Sequence, residues 1–229
     1  MLVRPEGPGR LPGVILLTDI GGIRPVFRET ARRLAGQGYV VLLPNVFYRT
    51  TRPPVLAFPL NLQDEATRNR MGEVTTPLTP EAVAKDAAAC VAFLASHPAV
   101  LDEEMGVVGY CFTGALALRF AAAEPDRIAA AASFHGGRLF TDAPASPHLV
   151  LPRVKARLYF AHATEDRSMP KEAITGLENA LAAWGGRFES EVYAGVRHGW
   201  TVADSAAYDE TQGDRAFAKL LHVLADMLA

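Results

Sequence analysis

Met105–Leu118 reads MGVVGYCFTGALAL. The stretch changes character in its middle. Met105–Gly109 is short and apolar, which predicts a buried strand. Phe112–Ala123 is rich in alanine and leucine, which predicts a helix. Between them stands Cys111. A strand, a sharp turn and a helix, with a nucleophilic residue at the turn, is the pattern of a nucleophile elbow. The turn lifts the side chain above the sheet, and the helix N-terminus behind it favours negative charge. Close backbone approach needs small neighbours, and Gly109 and Gly114 supply them. The motif ordinarily carries glycine two residues after the nucleophile. Here that residue is Thr113, and the turn is expected to tolerate it because Gly114 adjoins it. A free cysteine is often just a small buried apolar residue. That plainer reading suits Cys90, which falls in mid-helix on an apolar face, and the elbow context argues against it for Cys111.

Outward from this segment, apolar runs alternate with amphipathic ones. Gly13–Thr18 and Tyr39–Leu43 read as buried strands. Pro25 opens a helix running to about Gly36, with Phe27, Ala31 and Leu34 on one face. Residues 45–78 are rich in Pro, Arg and Thr and show no sustained period, which marks a functional or mobile segment. Thr79-Pro80-Glu81 predicts the start of another helix, with threonine as N-cap and proline in the first turn. Ile128–Phe134 and Arg157–Ala161 are strand-like, and Pro170–Trp184 is helical. Phe188–Tyr193 alternates and belongs nearer an edge. Phe217, Leu220, Leu221, Leu224 and Leu228 form one face of a terminal helix. Alternating strands and helices predict an α/β fold, a mostly parallel central sheet with helices on both faces. Active sites of such sheets lie beyond the carboxyl ends of the strands.

The bulk numbers agree with one domain spanning residues 1–229. At 229 residues the chain can bury a large core without staples. Net charge is −2 with both signs interspersed, so nothing points to nucleic acid or an anionic membrane. The two cysteines do not suggest a disulfide-dense chain. The opening MLVRPEGPGRLPG lacks the apolar core of a signal peptide, and no apolar run is long enough to span a bilayer. The expectation is a cytoplasmic protein, a setting that keeps a thiol reduced.

A nucleophilic thiol needs a base, and a base needs an orienting acid. Among six histidines, His198 stands in a loop after a strand and before the last helix. His162 directly follows a strand and is its main competitor. Asp166 lies in the loop after the Arg157–Ala161 strand, with Glu165 as the neighbouring alternative. The order Cys111, Asp166, His198 is the nucleophile–acid–base order of α/β-hydrolases. An oxyanion hole requires two converging N–H groups. Phe112, just after the nucleophile, supplies one. Ile20, in Thr18-Asp19-Ile20-Gly21-Gly22 after the first buried strand, supplies the other.

These residues resemble the dienelactone hydrolase (carboxymethylenebutenolidase) family, over nearly the whole chain from Gly13. The anchors are LLTDIGG followed by FRET, QGYVVLLPN, QDE followed by Arg68, VVGYCFTGALAL, TEDRSMP and RHGW. The resemblance implies an α/β-hydrolase fold and hydrolysis of a lactone or ester through a cysteinyl acyl-enzyme, with neither metal nor organic cofactor. It implies a small-molecule substrate and no nucleic-acid or membrane partner for a monomer or small homo-oligomer. Cys111, Asp166 and His198 fall on the triad, and Ile20 and Phe112 on the oxyanion positions. Asp19 matches an acidic residue, usually glutamate, that holds the resting thiol. Arg68 matches an arginine that grips a substrate carboxylate, although Arg49, Arg52 and Arg70 show that solvated arginines are common nearby. Asp19, Arg68 and Trp200 are thus expected at the substrate site. Gly72 stands where the family has tyrosine, and Val202 where it has a second carboxylate-binding arginine. An N-terminal strand or hairpin of the family is expected to be missing. A general carboxylesterase or thioesterase, and a non-catalytic relative used in binding or thiol redox sensing, are the competing readings.

Overall fold

The computed structural model describes residues 1–57, 64–101 and 103–225. Seven strands occur in it: β1 Leu2–Val3, β2 Gly13–Leu16, β3 Val40–Leu42, β4 Met105–Tyr110, β5 Ile128–Phe134, β6 Arg157–Glu165 and β7 Phe188–Arg197. The helices are α1 Pro25–Ala35, α2 Glu65–Thr75, α3 Pro80–Ser96, α4 Phe112–Ala123, α5 Lys171–Trp184 and α6 Glu210–Ala225, with a 3₁₀ turn at Pro147–Arg153. The sheet runs β1-β3-β2-β4-β5-β6-β7, and every pair is parallel except β1 with β3. β7 is an edge strand, as its alternation suggested.

Both faces of the sheet are covered, which is why β2, β3 and β4 are continuously buried, mostly apolar runs. Val14 and Leu16 of β2 pack toward α1 and α6, against Phe27, Leu34, Leu220 and Leu224. Ile15 and Leu17 point the other way, toward Val91 and Leu94 of α3, Phe120 of α4 and Leu177 of α5. The N-cap of α3 is as its sequence predicts, the Ala82 N–H donating to Thr79 Oγ1 at 3.2 Å. Cys90 packs, partly buried, at the margin of the same core. Both cysteines are free.

Two sequence expectations are corrected. The 45–78 segment contains α2, whose buried residues are Thr67 and Val74; two positions give no helical stripe to detect. An N-terminal strand is present after all, since Leu2 and Val3 pair antiparallel with Leu42 and Val41. Gln63 of the QDE anchor and Leu228 of the terminal helix lie outside the described residues. Among the described residues, no helix is long and apolar enough to cross a membrane.

The strand order sets the location of chemistry. The chain goes from β2 outward to β3, then returns to place β4 on the other side of β2. The connections after β2 and β4 therefore diverge and leave a crevice at the carboxyl ends of the two strands. Ile20 follows β2 and Cys111 follows β4, one on each side of that crevice.

Glycine spacing allows α4 to sit close against the sheet. A β-carbon at Gly114 would lie 2.3 Å from Ser133 Oγ and 2.7 Å from the Gly136 Cα. Gly72, in contrast, is exposed within α2 and a β-carbon there meets nothing within 4 Å. Gly114→Ala is expected to destabilise the fold by about 1–3 kcal/mol through overpacking. Gly72→Ala should stabilise it by roughly 0.5–1 kcal/mol by removing glycine's helix penalty. Urea midpoints of the two variants check both signs, and destabilisation by Gly72→Ala would contradict the described α2.

Candidate active site

The turn after β4 is built by backbone constraint. Cys111 has φ 56° and ψ −121°, a conformation that residues with a β-carbon adopt only when surroundings impose it. Three hydrogen bonds impose it here. The Cys111 N–H donates to the Phe134 carbonyl at 3.0 Å, and the Cys111 carbonyl accepts from Gly114 N–H at 3.1 Å and Gly137 N–H at 3.3 Å. Gly109 is required by close approach, because a β-carbon would stand 2.1 Å from the Thr113 carbonyl oxygen. Thr113, the departure from the usual glycine, strengthens the turn. Its buried hydroxyl accepts from Tyr110 N–H at 2.9 Å and is 3.1 Å from the Tyr110 carbonyl, to which it donates. The Cys111 side chain is left partly exposed at the helix N-terminus.

His198 and Asp166 come from the loops after β7 and β6. His198 Nδ1 lies 2.6 Å from Asp166 Oδ2. The other carboxylate oxygen, Oδ1, accepts from the Ser168 N–H at 2.8 Å and from Ser168 Oγ at 2.6 Å, which fixes the acid's rotamer. Glu165, the alternative acid, has an exposed side chain, and only its backbone carbonyl meets His198, accepting the His198 N–H at 3.2 Å. His162, the alternative base, is buried within β6 and stacked on Phe160 at 6.3 Å. Burial pushes its pKa down to about 4.

The electrostatics of the pair are lopsided. Burial pulls the His198 pKa down, but hydrogen bonds and charge from Asp166 and Cys111 outweigh it and raise it to about 10. Burial acts on Asp166 in the opposite sense and is likewise overcome, so its carboxyl stays below 3.8 through His198 and Ser168.

On the other side of the crevice, the Ile20 N–H meets no acceptor among the described residues. The Phe112 N–H is the first of α4, where helix N–H groups have no intrahelical partner. Phe47 and Phe112 face each other at 6.4 Å, and Val55 fills the space over Gly22, so apolar side chains adjoin the crevice.

Two of the residues expected at the substrate site are engaged within the protein itself. Asp19 is committed elsewhere: Arg24 binds its Oδ1 at 2.6 Å and its Oδ2 at 2.8 Å, and Gly21 N–H adds a bond to Oδ1 at 2.8 Å. The same guanidinium holds Asp204 at 2.7 and 2.9 Å, which ties the loop after β2 to the loop that follows His198. Trp200 is fully buried, between His135 at 5.3 Å and Tyr193 at 5.1 Å, and supports the site from beneath. Arg68 lies on α2 with an exposed side chain; nearby Arg70 bonds the Val55 carbonyl at 3.0 Å and Glu73 at 2.6 Å. Val202 is buried and Gly72 exposed, so neither provides a side chain for a substrate carboxylate. His135 was not singled out from sequence, yet its ring stands 4.9 Å from that of His198. Its signal was position alone, the residue directly after a strand.

The pair makes stability depend on pH in a definite direction. A histidine raised from 6.5 contributes fully below pH 6.5 and loses its contribution as pH climbs toward 10. A carboxyl lowered from 3.8 contributes above that value and loses it on acidification. The stability lost in Asp166→Asn should therefore be greatest between about pH 4 and 6.5 and should shrink toward pH 10. Denaturant unfolding across that range checks it. A loss that grows with pH would contradict the pairing.

The dienelactone hydrolase family model matches residues 1–228. The carboxymethylenebutenolidase of Rhodococcus opacus is 28% identical over 208 residues, covering 87% of this chain and 77% of that protein. A Synechocystis protein assigned as a carboxymethylenebutenolidase is 25% identical over 222 residues, covering 96% of this chain and 87% of its own. A Klebsiella pneumoniae structure assigned as a dienelactone hydrolase superposes with TM-score 0.87 at 22% identity, covering 98% of this chain and 91% of that one. The sheet order and helix placement are thus those of the α/β-hydrolase fold, and the chain belongs to the dienelactone hydrolase family.

Proposed function

We propose that this protein hydrolyses a lactone or carboxylic ester through an acyl-enzyme formed on Cys111. The observation that carries the reading is the His198–Asp166 pair at 2.6 Å, acting on the same elbow cysteine that α4 backs with its N-terminus. His198 Nδ1 is taken by Asp166, which leaves Nε2 for proton transfer with Cys111. The Cys111 sulfur attacks the carbonyl carbon while His198 holds the thiol proton. The carbonyl oxygen becomes an oxyanion, met by the N–H groups of Ile20 and Phe112. Collapse breaks the ester C–O bond, and His198 returns the proton to the departing oxygen. In a lactone that oxygen stays tethered to the acyl chain. Water then attacks the thioester with His198 as base, releasing the acid and restoring the thiol.

Asp19 is locked by Arg24, so the resting thiol relies on His198 in this scheme. The substrate is a small molecule, and the apolar surroundings of Phe47, Val55 and Phe112 suit a neutral acyl group. Arg68 remains our candidate for an anionic substituent, since a guanidinium can hold both oxygens of a carboxylate. Val202 offers no second cation. A cytoplasmic, reducing setting fits a thiol nucleophile.

p-Nitrophenyl acetate should be turned over, and iodoacetamide should stop it. Cys111→Ala is expected to lose nearly all turnover, while Cys90→Ala keeps it. His198→Ala and Asp166→Asn should each lower kcat by about a hundredfold or more, and Glu165→Gln far less. Full activity in Cys111→Ala would sink the assignment. Dienelactones, simple esters and thioesters compared by kcat/KM define the substrate class. Arg68→Ala should weaken a carboxylate-bearing lactone by about 1–3 kcal/mol and spare its methyl ester. Equal effects on the two would remove Arg68 from the pocket.

A further inference from the structure

β5 ends on Phe134 and is followed by His135, a residue to which the chemistry above gives no task. Its side chain is enclosed, and its backbone stands at φ 39°, strained for a residue with a β-carbon. The strain is held by the sheet, because the His135 N–H donates to the Ala161 carbonyl of β6 at 2.8 Å. The ring is placed as closely as the backbone. Its Nε2 lies 2.8 Å from Thr201 Oγ1, three residues beyond His198 in the same loop. It meets the His198 ring edge-on, with centroids 4.9 Å apart and planes at 66°. Trp200 packs against it at 5.3 Å and Tyr110 at 6.0 Å. Its Nδ1 finds no partner among the described residues.

A buried, strained imidazole with an unpaired nitrogen is costly, and a phenyl ring would fill the space more cheaply. What phenylalanine could not do is bond Thr201. The titratable groups facing the ring are His198 from the loop after β7, Asp166 from the loop after β6, and Tyr110 from β4. Burial, then the charge of His198, hold the His135 pKa well below 6.5, and the pull of Asp166 does not compensate. Two imidazoles this close accommodate one positive charge, and it resides on His198.

We propose that His135 is a positioning residue for the base. Through its bond to Thr201 and its edge-on contact, an uncharged ring fixes the plane of His198, keeping Nδ1 on Asp166 and leaving Nε2 for Cys111. The proposal rests on His198 being the base, but it concerns that ring's placement and its proton.

Histidine ring protons followed by NMR from about pH 5 to 11 test this in wild type, His135→Phe and Thr201→Val. His135 should show no titration in wild type, and His198 should titrate above the ordinary range. In both variants the His198 titration should move down toward 6.5 as the ring loosens from Asp166. kcat should fall by roughly ten- to a hundredfold with KM little changed, and His135→Gln, which keeps a donor for Thr201, should recover part of it. Thr201 is only half-buried, so its variant gives a result even if His135→Phe does not fold. An unmoved His198 titration in the folded variants overturns the proposal, even if they melt earlier. An ordinary pKa for His135 in wild type overturns it too. Full activity in Cys111→Ala would instead reject the proposed function, and the titrations would still judge His135.

Discussion

The backbone of Cys111 is the constraint on which the site depends. A residue at φ 56° between β4 and α4 is unfavourable by itself, of order 1–3 kcal/mol. It persists because its N–H donates to the Phe134 carbonyl and its carbonyl accepts from the Gly114 and Gly137 N–H groups, clamping both of its peptide groups. Those clamps require α4 to approach β5 closely, which in turn requires glycine at 109, 114 and 136. Thr113 fits this demand in an unusual way, because its hydroxyl braces both backbone groups of Tyr110 and occupies space that the turn leaves. Strain at the cysteine is therefore paid for by the packing of the sheet.

Around this fixed point, the remaining groups arrive on separate loops and are tied together by charge. Asp166 and Ser168 settle the His198 ring from the β6 side, while His135 meets it from β5. Arg24 joins Asp19, beside the Ile20 N–H, to Asp204 beyond His198. That bidentate bridge connects residues 180 positions apart, linking the loop after β2 to the loop that carries His198. An arginine that holds two carboxylates in planar forks restrains orientation as well as distance.

The candidate site residues were legible because each follows an apolar run that sequence can identify. GVVGYC marks Cys111, RLYFA precedes Asp166, and the alternating Phe188–Tyr193 precedes His198. Their chain order then matches one fold. What stayed hidden depends on contacts distant in sequence. Nothing local to Asp19 reveals that Arg24 and Asp204 will claim it, and its match to an acidic family position pointed elsewhere. Trp200 adjoins His198 in sequence, yet the fold buries it. α2 escaped detection because a helix with two buried residues needs no apolar stripe. His135 carries no motif; only the folded structure shows its ring against His198.

The central claim is that a covalent acyl-enzyme forms on the elbow cysteine. Acid-quenching the enzyme during turnover of p-nitrophenyl acetate, then mapping the acetyl group by peptide mass, measures it directly. The account predicts one acetyl group per chain, confined to the peptide that contains Cys111 and released by the free enzyme on standing. An acetyl group on a different residue, or undiminished turnover with no acyl-enzyme at any quench time, would contradict it.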